Sequence, residues 1–300
     1  MPSEDSDIPL PFSRKLPAEF RPVRHELTLP DGYRTALYIY IPRGKNVRLR
    51  DPVVYLHGIQ SHPGWFCGSA AILARAGHPV FLPCRRGSGD NTQNRGHAPS
   101  AKRLLDDVDC VCRFAREKCK APRVRLVGVS WGGKLATAYA LGRPAARDLA
   151  CLTLVAPGIV SDADVRGLTK LGIGLCWLVW PRKRFRIPLD SPRLFTDNGI
   201  MQQYIARDPY SLHRATARFL CASKRLDFSI RHAGEGSLKV ATTLLLGARD
   251  RIVDNVHTRK VINNLTAGHA HVEELNAAHT IEFESNTRQY YGLLHSAVER

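Results

Sequence analysis

The stretch RVRLVGVSWGGKLATAYA, residues 123–140, decides the fold of this 300-residue chain. Its first part is an apolar run typical of a strand buried on both faces, and its last part has the residues of a helix. Between them lies GVSWG, residues 128–132, which matches G-x-S-x-G. In that motif a strand turns sharply into a helix with serine at the apex, and Gly128 and Gly132 let strand and helix pack closely. We therefore expect Ser130 to be an exposed nucleophile.

Strand-like and helix-like segments alternate on both sides of this turn. Two β-rich runs, residues 23–30 and 33–42, are separated by Asp31-Gly32, which is typical of a hairpin turn. Such alternation predicts an α/β fold with a mainly parallel sheet flanked by helices on both faces. Further strands are expected over residues 53–59, 78–83, 150–157, 240–248 and 269–276, and further helices over residues 65–76, 101–118, 256–265 and 281–295.

One long segment interrupts this alternation. About eighty residues separate the strands that are expected to end near Ala156 and Gly247, which is far more than one crossover helix needs. A long insertion at this edge of a sheet is more often functional than decorative. We therefore expect a mostly helical cap over residues 160–239, a core formed by residues 21–159 and 240–300, and a flexible segment over residues 1–20.

A serine hydroxyl is a weak nucleophile until a base takes its proton, and in this kind of fold the chain order is serine, acid, histidine. Asp250 follows the strand at residues 240–248, and His279 follows the last strand, so both stand at carboxyl strand ends. Asp254 is the nearest alternative acid, but it is better explained as a helix N-cap. The alternative bases lie on a helix, or before or within a strand: His257, His269 and His271.

A tetrahedral intermediate at Ser130 needs two hydrogen-bond donors that face its oxyanion. The backbone amide of Trp131, the residue after the nucleophile, is expected to supply one. The other should come from the loop after the strand at residues 53–59, where His57 and Gly58 precede Ile59. We expect the amide of Ile59 to be the second donor.

These motifs resemble those of α/β-hydrolases similar to monoglyceride lipases and lysophospholipases, which overlap with serine aminopeptidase-like hydrolases. The similarity runs from about Val23 to the C-terminus and rests on HGIQSH, RRGSG, GVSWGG, GARDRIVD and AAHT. Those relatives usually carry D-x-R-G-x-G-x-S where this chain has CRRGSGDN, residues 84–91. The resemblance implies a serine hydrolase that cleaves a carboxylic ester, with an acyl lipid such as a monoglyceride or lysophospholipid as the substrate class.

Other functions use the same residues. An aminopeptidase or an acyltransferase could work with the same triad, and the sequence does not separate them from an esterase. Enzymes of this fold that use a carboxylate nucleophile are disfavoured by the serine at position 130. A non-catalytic binding protein on this scaffold is a further alternative, which the presence of all three candidate residues disfavours.

Composition limits the partners and the cofactors. The net charge of +17 would attract nucleic acid, anionic lipid or acidic substrates. The sequence has no zinc-finger spacing, aromatic RNA-binding motif or glycine-rich basic tail, so we expect no nucleic-acid partner. The eight cysteines lack CxxC pairs, which favours free thiols in a reducing compartment and hence a cytoplasmic location. No metal constellation is apparent, and the expected chemistry needs no cofactor.

The expected cap contains an apolar and aromatic run, residues 171–180, followed at once by the basic PRKRFR, residues 181–186. One interpretation is peripheral contact with an anionic membrane, in which the apolar run is buried among the lipids and the cations meet the headgroups. The alternative is that the run packs on the catalytic domain and that the arginines form a solvated face. We expect neither a secretory signal nor a spanning helix, since no apolar run approaches ~20 residues.

Overall fold

A computed structural model describes residues 21–43, 48–161 and 167–300, and its framework is an eight-stranded sheet with the order β1-β2-β4-β3-β5-β6-β9-β10. β1 and β2 are antiparallel, as are β2 and β4, and the other neighbouring pairs are parallel. The predicted mainly parallel α/β sheet is therefore confirmed. The strands are β1 (Val23–Thr28), β2 (Arg34–Tyr40), β3 (Val53–Leu56), β4 (Val80–Pro83), β5 (Val124–Val129), β6 (Leu149–Val155), β7 (Arg184–Arg186), β8 (Arg214–Thr216), β9 (Thr242–Gly247) and β10 (His271–Leu275).

Capping side chains mark the beginning of some of the α-helices. One of them follows Ser100, whose hydroxyl accepts a hydrogen bond from the amide of Arg103, and it ends at Lys120 in the left-handed conformation. The helices are α1 (Cys67–Arg75), α2 (Ala101–Cys119), α3 (Trp131–Gly142), α4 (Leu168–Val179), α5 (Gly199–Arg207), α6 (Ala217–Arg231), α7 (Asn255–Leu265) and α8 (Arg288–Glu299).

The central strands form the core of the molecule. Every residue of β3 and β9 is buried, and Leu244, Leu245 and Leu246 are completely inaccessible to solvent. A strand with paired neighbours on both edges and helices on its faces needs apolar side chains on both faces, and each such leucine stabilises the fold by about 1.5–3 kcal/mol relative to an exposed one. β1 lies at the edge of the sheet and is mostly exposed.

The turn between β5 and α3 depends on a single residue. β5 ends at Val129 and α3 begins at Trp131, so Ser130 alone reverses the chain, with φ 54° and ψ −124°. That conformation is rare for a residue with a side chain and costs about 1–3 kcal/mol. A Cβ atom on Gly132 would overlap the carbonyl oxygens of Leu56 and His57. Close packing of β3 against the start of α3 therefore requires glycine at this position.

Residues 160–239 hold α4, α5 and α6, as expected of a mostly helical insertion, and also a feature that the sequence did not predict. β7 and β8 pair antiparallel into a separate two-stranded sheet, with Phe185 opposite Ala215. Three-residue strands are too short for an alternating pattern to be visible. The division into a core and a cap stays a prediction, and the flexible segment expected over residues 1–20 lies outside the described residues.

The prediction of a single helix over residues 281–295 is wrong. A short 3-10 helix spans Ile281–Phe283, the backbone is extended at Glu284, and α8 starts only at Arg288. The residues between the two helices are Ser285, Asn286 and Thr287, whose side chains compete with helical hydrogen bonds. The side chain of Asn286 indeed accepts a hydrogen bond from the amide of Arg288.

α4 is buried on one face only. Ile173 and Cys176 pack against Ala217 at the start of α6. The opposite face carries four largely exposed leucines, so the interpretation in which the whole run 171–180 packs on the catalytic domain is wrong. Their exposed fractions are 84% for Leu168, 71% for Leu171, 62% for Leu175 and 70% for Leu178. Within the described ranges, no helix is long and apolar enough to cross a membrane.

We expect Gly132→Ala to lower the free energy of unfolding by about 3 kcal/mol, because the added methyl group would force two backbone carbonyls apart. Gly142→Ala, in the same helix, is the control, since a Cβ there meets no atom within 4 Å. Its effect should stay under about 1 kcal/mol. Urea unfolding of the two variants measures the difference, and equal stabilities would contradict the packing argument.

Candidate active site

Three side chains that are distant in the sequence meet at the carboxyl edge of the sheet. The Nε2 atom of His279 lies 2.8 Å from the Oγ atom of Ser130, and its Nδ1 atom lies 2.8 Å from Oδ2 of Asp250. The side chains of His279 and Asp250 are almost completely buried. With Asp250 ionised, the ring proton sits on Nδ1, so the lone pair of Nε2 faces the serine hydroxyl.

The carboxylate of Asp250 is fixed by the turn that follows β9. Its Oδ1 atom accepts hydrogen bonds from the amides of Ile252 (2.7 Å) and Val253 (3.0 Å), which leaves Oδ2 for His279. The turn is close to the histidine loop, because a Cβ on Gly247 would lie within 2.7 Å of backbone carbonyl oxygens of that loop. Both loops are therefore held against the end of one strand, which sets the distance between acid and base.

The alternative acid and bases have other partners. Asp254 is the N-cap of α7, where its side chain accepts a hydrogen bond from the amide of His257 at 2.9 Å. The imidazole of His257 bonds to the same carboxylate, and that of His271 bonds to Glu273. His269 precedes β10, at the end of the strand opposite to the site.

The loop after β3 passes close to the serine. A Cβ on Gly58 would lie 3.2 Å from Cβ of Ser130. Within the described ranges, the amides of Ile59 and Trp131 donate to no protein acceptor, which leaves both for a ligand. The cavity beside Ser130 is lined by both residues.

His57 holds this loop in place. Its Nε2 atom accepts a hydrogen bond from the amide of Arg85 (2.9 Å), so its Nδ1–H donates to the carbonyl oxygen of Gly58 at 2.8 Å. Burial, with the nearby charge of Arg85, lowers the pKa of His57 well below its ordinary value, so the ring is neutral as these bonds require. Because a peptide unit is planar, fixing the Gly58 carbonyl also fixes the direction of the Ile59 amide.

Sequence reasoning missed a buried polar cluster around Asp208. Its Oδ2 atom accepts hydrogen bonds from Nε2 of His62 (3.0 Å), Nε1 of Trp65 (2.8 Å) and the hydroxyl of Ser211 (2.9 Å). Burial opposes ionisation of Asp208, but the bonds from His62 and Trp65 outweigh burial and lower its pKa to about 2. The residues of the cluster come mainly from two stretches of sequence, HGIQSH and RDPYSLH, which meet only in the folded chain.

This cluster connects the loop after β3 to the segment between α5 and β8. Next to it, the amide of Leu212 donates to the carbonyl oxygen of Gln60 at 2.9 Å, and the side chain of Gln60 bonds to His213. The loop that carries the Ile59 amide is therefore fastened on its far side by residues of the insertion.

A cavity of about 370 Å³ opens beside Ser130. Most of its wall is apolar, and it is formed by the insertion together with loops of the sheet. The apolar lining includes Ile159, Ile173, Ile187, Leu189, Leu220 and Ile252.

Comparison with known proteins gives a family and a fold. The serine aminopeptidase S33 family model matches residues 48–286. A monoglyceride lipase from Saccharomyces cerevisiae has a TM-score of 0.81 at 17% identity, covering 93% of this chain and 96% of that one. A monoacylglycerol lipase from Paleococcus ferrophilus has a TM-score of 0.71 at 20% identity, covering 93% and 98%. At these identities the likeness shows the fold.

One curated relative is an uncharacterized abhydrolase domain-containing protein from Dictyostelium discoideum. It is 26% identical over 179 residues, which are 59% of this chain. The match spans only 18% of the length of that relative.

We expect Asp208→Asn to lower the free energy of unfolding at pH 7 by roughly 2–3 kcal/mol, which corresponds to the depression of the pKa from 3.8 to about 2. A carboxyl group whose pKa is lower in the folded protein stabilises the fold at pH values above its unfolded pKa, and this stabilisation is lost as the pH falls through the folded pKa. The difference in unfolding free energy between the parent and Asp208→Asn should therefore narrow between pH 4 and 2.

Urea unfolding over this pH range is the measurement. Asp148→Asn is the control, because Asp148 forms a partly exposed ion pair with Arg116 and should change stability by under about 1 kcal/mol. If the difference in unfolding free energy between the parent and Asp208→Asn is unchanged down to pH 2, the ionised carboxylate is not the source of that difference.

Proposed function

The chain belongs to the serine aminopeptidase S33 family of hydrolases, and from that premise we propose that it cleaves a carboxylic ester of an acyl lipid through an acyl-enzyme at Ser130. The observation that carries the proposal is the position of His279, within 2.8 Å of both the Ser130 hydroxyl and the Asp250 carboxylate. This is the geometry that proton transfer from serine requires.

In the first half-reaction, Oγ of Ser130 attacks the ester carbonyl carbon while its proton passes to Nε2 of His279. Asp250 stabilises the imidazolium through the Nδ1–H bond. The carbonyl oxygen becomes an oxyanion and accepts hydrogen bonds from the amides of Ile59 and Trp131. As the intermediate collapses, the bond to the alcohol breaks, and His279 gives its proton to the departing alkoxide oxygen.

In the second half-reaction, water replaces the alcohol. His279 takes a proton from the water molecule, whose oxygen attacks the acyl carbon, and the same two amides hold the oxyanion. Collapse releases the carboxylic acid and returns the proton to Ser130. An acyltransferase would differ only in delivering an alcohol to the acyl-enzyme at this step.

The lining of the cavity favours an acyl ester over a peptide. Its wall beside Ser130 is mostly apolar, which suits a hydrocarbon chain. An aminopeptidase would need a carboxylate for the protonated α-amino group of its substrate. Asp227 is the acidic residue in the described lining, and its Oδ1 atom is paired with Nζ of Lys134 at 2.6 Å. The lipases among the structural neighbours agree with the ester.

We also propose that the chain contacts an anionic membrane through α4. The four exposed leucines of this helix form a stripe, and Trp180, at its end, is 61% exposed. A helix with an exposed apolar stripe, followed directly by the basic run PRKRFR at residues 181–186, suits contact with the interface of an anionic membrane. The other face of α4 lines the cavity through Ile173 and Gly174, so a lipid could pass from the bilayer to Ser130.

We expect Ser130→Ala to reduce turnover of a p-nitrophenyl ester by at least about a thousandfold and to abolish labelling by a fluorophosphonate, because both need the activated hydroxyl. Ser229→Ala is the control, since within the described part of the chain the Ser229 hydroxyl donates to the carbonyl oxygen of Leu226 in the same helix, α6. Circular dichroism checks that both variants fold. Substantial turnover by a folded Ser130→Ala variant would refute the proposed nucleophile.

A panel of p-nitrophenyl esters of increasing chain length, measured beside aminoacyl-naphthylamides, separates the esterase from the aminopeptidase. We expect kcat/KM to rise with acyl length and the naphthylamides to be cleaved slowly or not at all, because the cavity wall is apolar. Faster cleavage of the naphthylamides would favour the peptidase.

We expect the triple variant Leu171→Ser, Leu175→Ser, Leu178→Ser to sediment with anionic vesicles at least about tenfold more weakly than the parent, because three apolar side chains no longer enter the lipid. Ile200→Ser with Val256→Ser is the control, since both are exposed apolar residues outside this stripe. Neutralising Arg182, Lys183, Arg184 and Arg186 should weaken binding to anionic but not to neutral vesicles. If neither the triple leucine variant nor the charge-neutralised variant changes sedimentation, this surface does not bind the membrane.

A further inference from the structure

Two neighbouring arginines follow β4, and their side chains have different partners. Arg86 forms ion pairs with Asp31 at 2.9 Å and Asp107 at 2.7 Å, which join this loop to the turn after β1 and to α2. Arg85 is buried, and its Nη2 atom donates a hydrogen bond to the carbonyl oxygen of Ile59 at 2.7 Å. Burial of a guanidinium group is costly, so its contacts in this position must compensate for the lost hydration.

Arg85 is bonded to both peptide units that flank Ile59. Its side chain fixes the Ile59 carbonyl directly. Its backbone amide donates to Nε2 of His57 at 2.9 Å, and Nδ1–H of that ring donates to the carbonyl oxygen of Gly58 at 2.8 Å. Because a peptide unit is planar, the first contact holds the unit after Ile59, and the second series of contacts holds the unit that carries the Ile59 N–H. The direction of that N–H is therefore set from both sides by one residue.

The same guanidinium group lies against the ring of Trp131. Its Cζ atom is 5.0 Å from the centroid of this indole ring and 4.9 Å from the ring centroid of Phe219 on α6. A planar cation is attracted to the face of an aromatic ring. The indole is also held by the hydrogen bond from its Nε1 to Ser223. Arg85 therefore contacts both Ile59 and Trp131, the residues whose amides are the proposed oxyanion donors.

The guanidinium group keeps its charge in this environment. Burial lowers the pKa of Arg85 to about 9, which is still well above neutral pH. A protonated guanidinium holds its N–H donors in one plane. The bond to Ile59 and the contact with Trp131 are therefore held in a fixed relation to each other.

We propose that Arg85 is a positioning residue for the oxyanion hole, which fixes the Ile59 amide through the Ile59 carbonyl and fixes Trp131 through its ring. This inference rests on the proposed ester hydrolysis and adds a residue to it that acts through these two neighbours. Donors that are already in place stabilise the oxyanion more than donors that must reorient during the reaction. The contribution of Arg85 therefore belongs to the transition state, and its loss is expected in kcat rather than in KM.

We expect Arg85→Met to lower kcat for a p-nitrophenyl ester by about ten- to a hundredfold and to change KM by less than about threefold, because only the transition state uses the two amides. Arg125→Met is the matched control. The Arg125 guanidinium is also mostly buried and donates to a backbone carbonyl, that of Val298, but it lies at the opposite end of β5 from Ser130. This variant should leave kcat within about twofold of the parent.

Arg85→Lys is the conservative variant. An ammonium group can still donate to the Ile59 carbonyl, but it has no planar group to lie against Trp131. Its kcat should therefore be at least about threefold above that of Arg85→Met and at least about threefold below that of the parent. Circular dichroism checks that each variant folds, and if Arg85→Met does not fold, the comparison of Arg85→Lys with the parent provides the test.

A straight-chain trifluoromethyl ketone tests the oxyanion hole without turnover. Attack by Ser130 on its carbonyl carbon gives a tetrahedral adduct, whose oxygen occupies the oxyanion position. We expect the Ki of this ketone to rise in each Arg85 variant by about the factor by which kcat/KM falls. A residue that only stabilised the fold would change the urea unfolding midpoint without this proportionality.

The outcomes separate this inference from the function on which it rests. Parental kcat and Ki in the folded Arg85 variants overturn the positioning role and leave the esterase intact. A loss of kcat without a rise in Ki also overturns it, since the oxyanion hole would then be unaffected. An equal loss in Arg125→Met overturns it as well, because removal of any buried arginine would then be the cause. A parent protein with neither turnover nor fluorophosphonate labelling overturns both proposals.

Discussion

The strained turn at Ser130 is the constraint on which the rest of the site depends. Its backbone conformation, with φ 54°, is unfavourable in isolation, so the surrounding packing must hold it. That packing comes from the close approach of α3 to the end of β3, which requires glycine at position 132. The same approach brings the loop after β3 against the serine. One short contact therefore sets both the position of the hydroxyl and the position of the Ile59 amide.

The insertion takes part in this arrangement at two points. On one side, Asp208 and its neighbours bind the loop that carries Ile59, and the amide of Leu212 donates to the carbonyl of Gln60. On the other side, the indole of Trp131 donates to Ser223 on α6. Ile59 and Trp131, which both line the cavity, are thus held by the insertion, directly or through one neighbour. Movement of the insertion would therefore shift Ile59 and Trp131, the proposed oxyanion donors, as well as the cavity entrance, because the contacts are continuous.

The sequence predicted the parts of this structure that local patterns encode. The strand, turn and helix around Ser130 have a short motif, and Asp250 and His279 follow from chain order and from their positions after strands. The Asp208 cluster, by contrast, joins residues 143 to 146 positions apart, and no local pattern reports such a contact. β7 and β8 are too short for periodicity, and the break after Phe283 depends on side-chain hydrogen bonds of single residues.

The two faces of α4 explain how the insertion can serve two proposed roles, contact with the membrane and lining of the substrate cavity. Its leucine stripe is directed outward, whereas Lys170, Ile173 and Gly174 line the cavity. A hydrocarbon chain that leaves the bilayer along this helix would meet apolar side chains continuously.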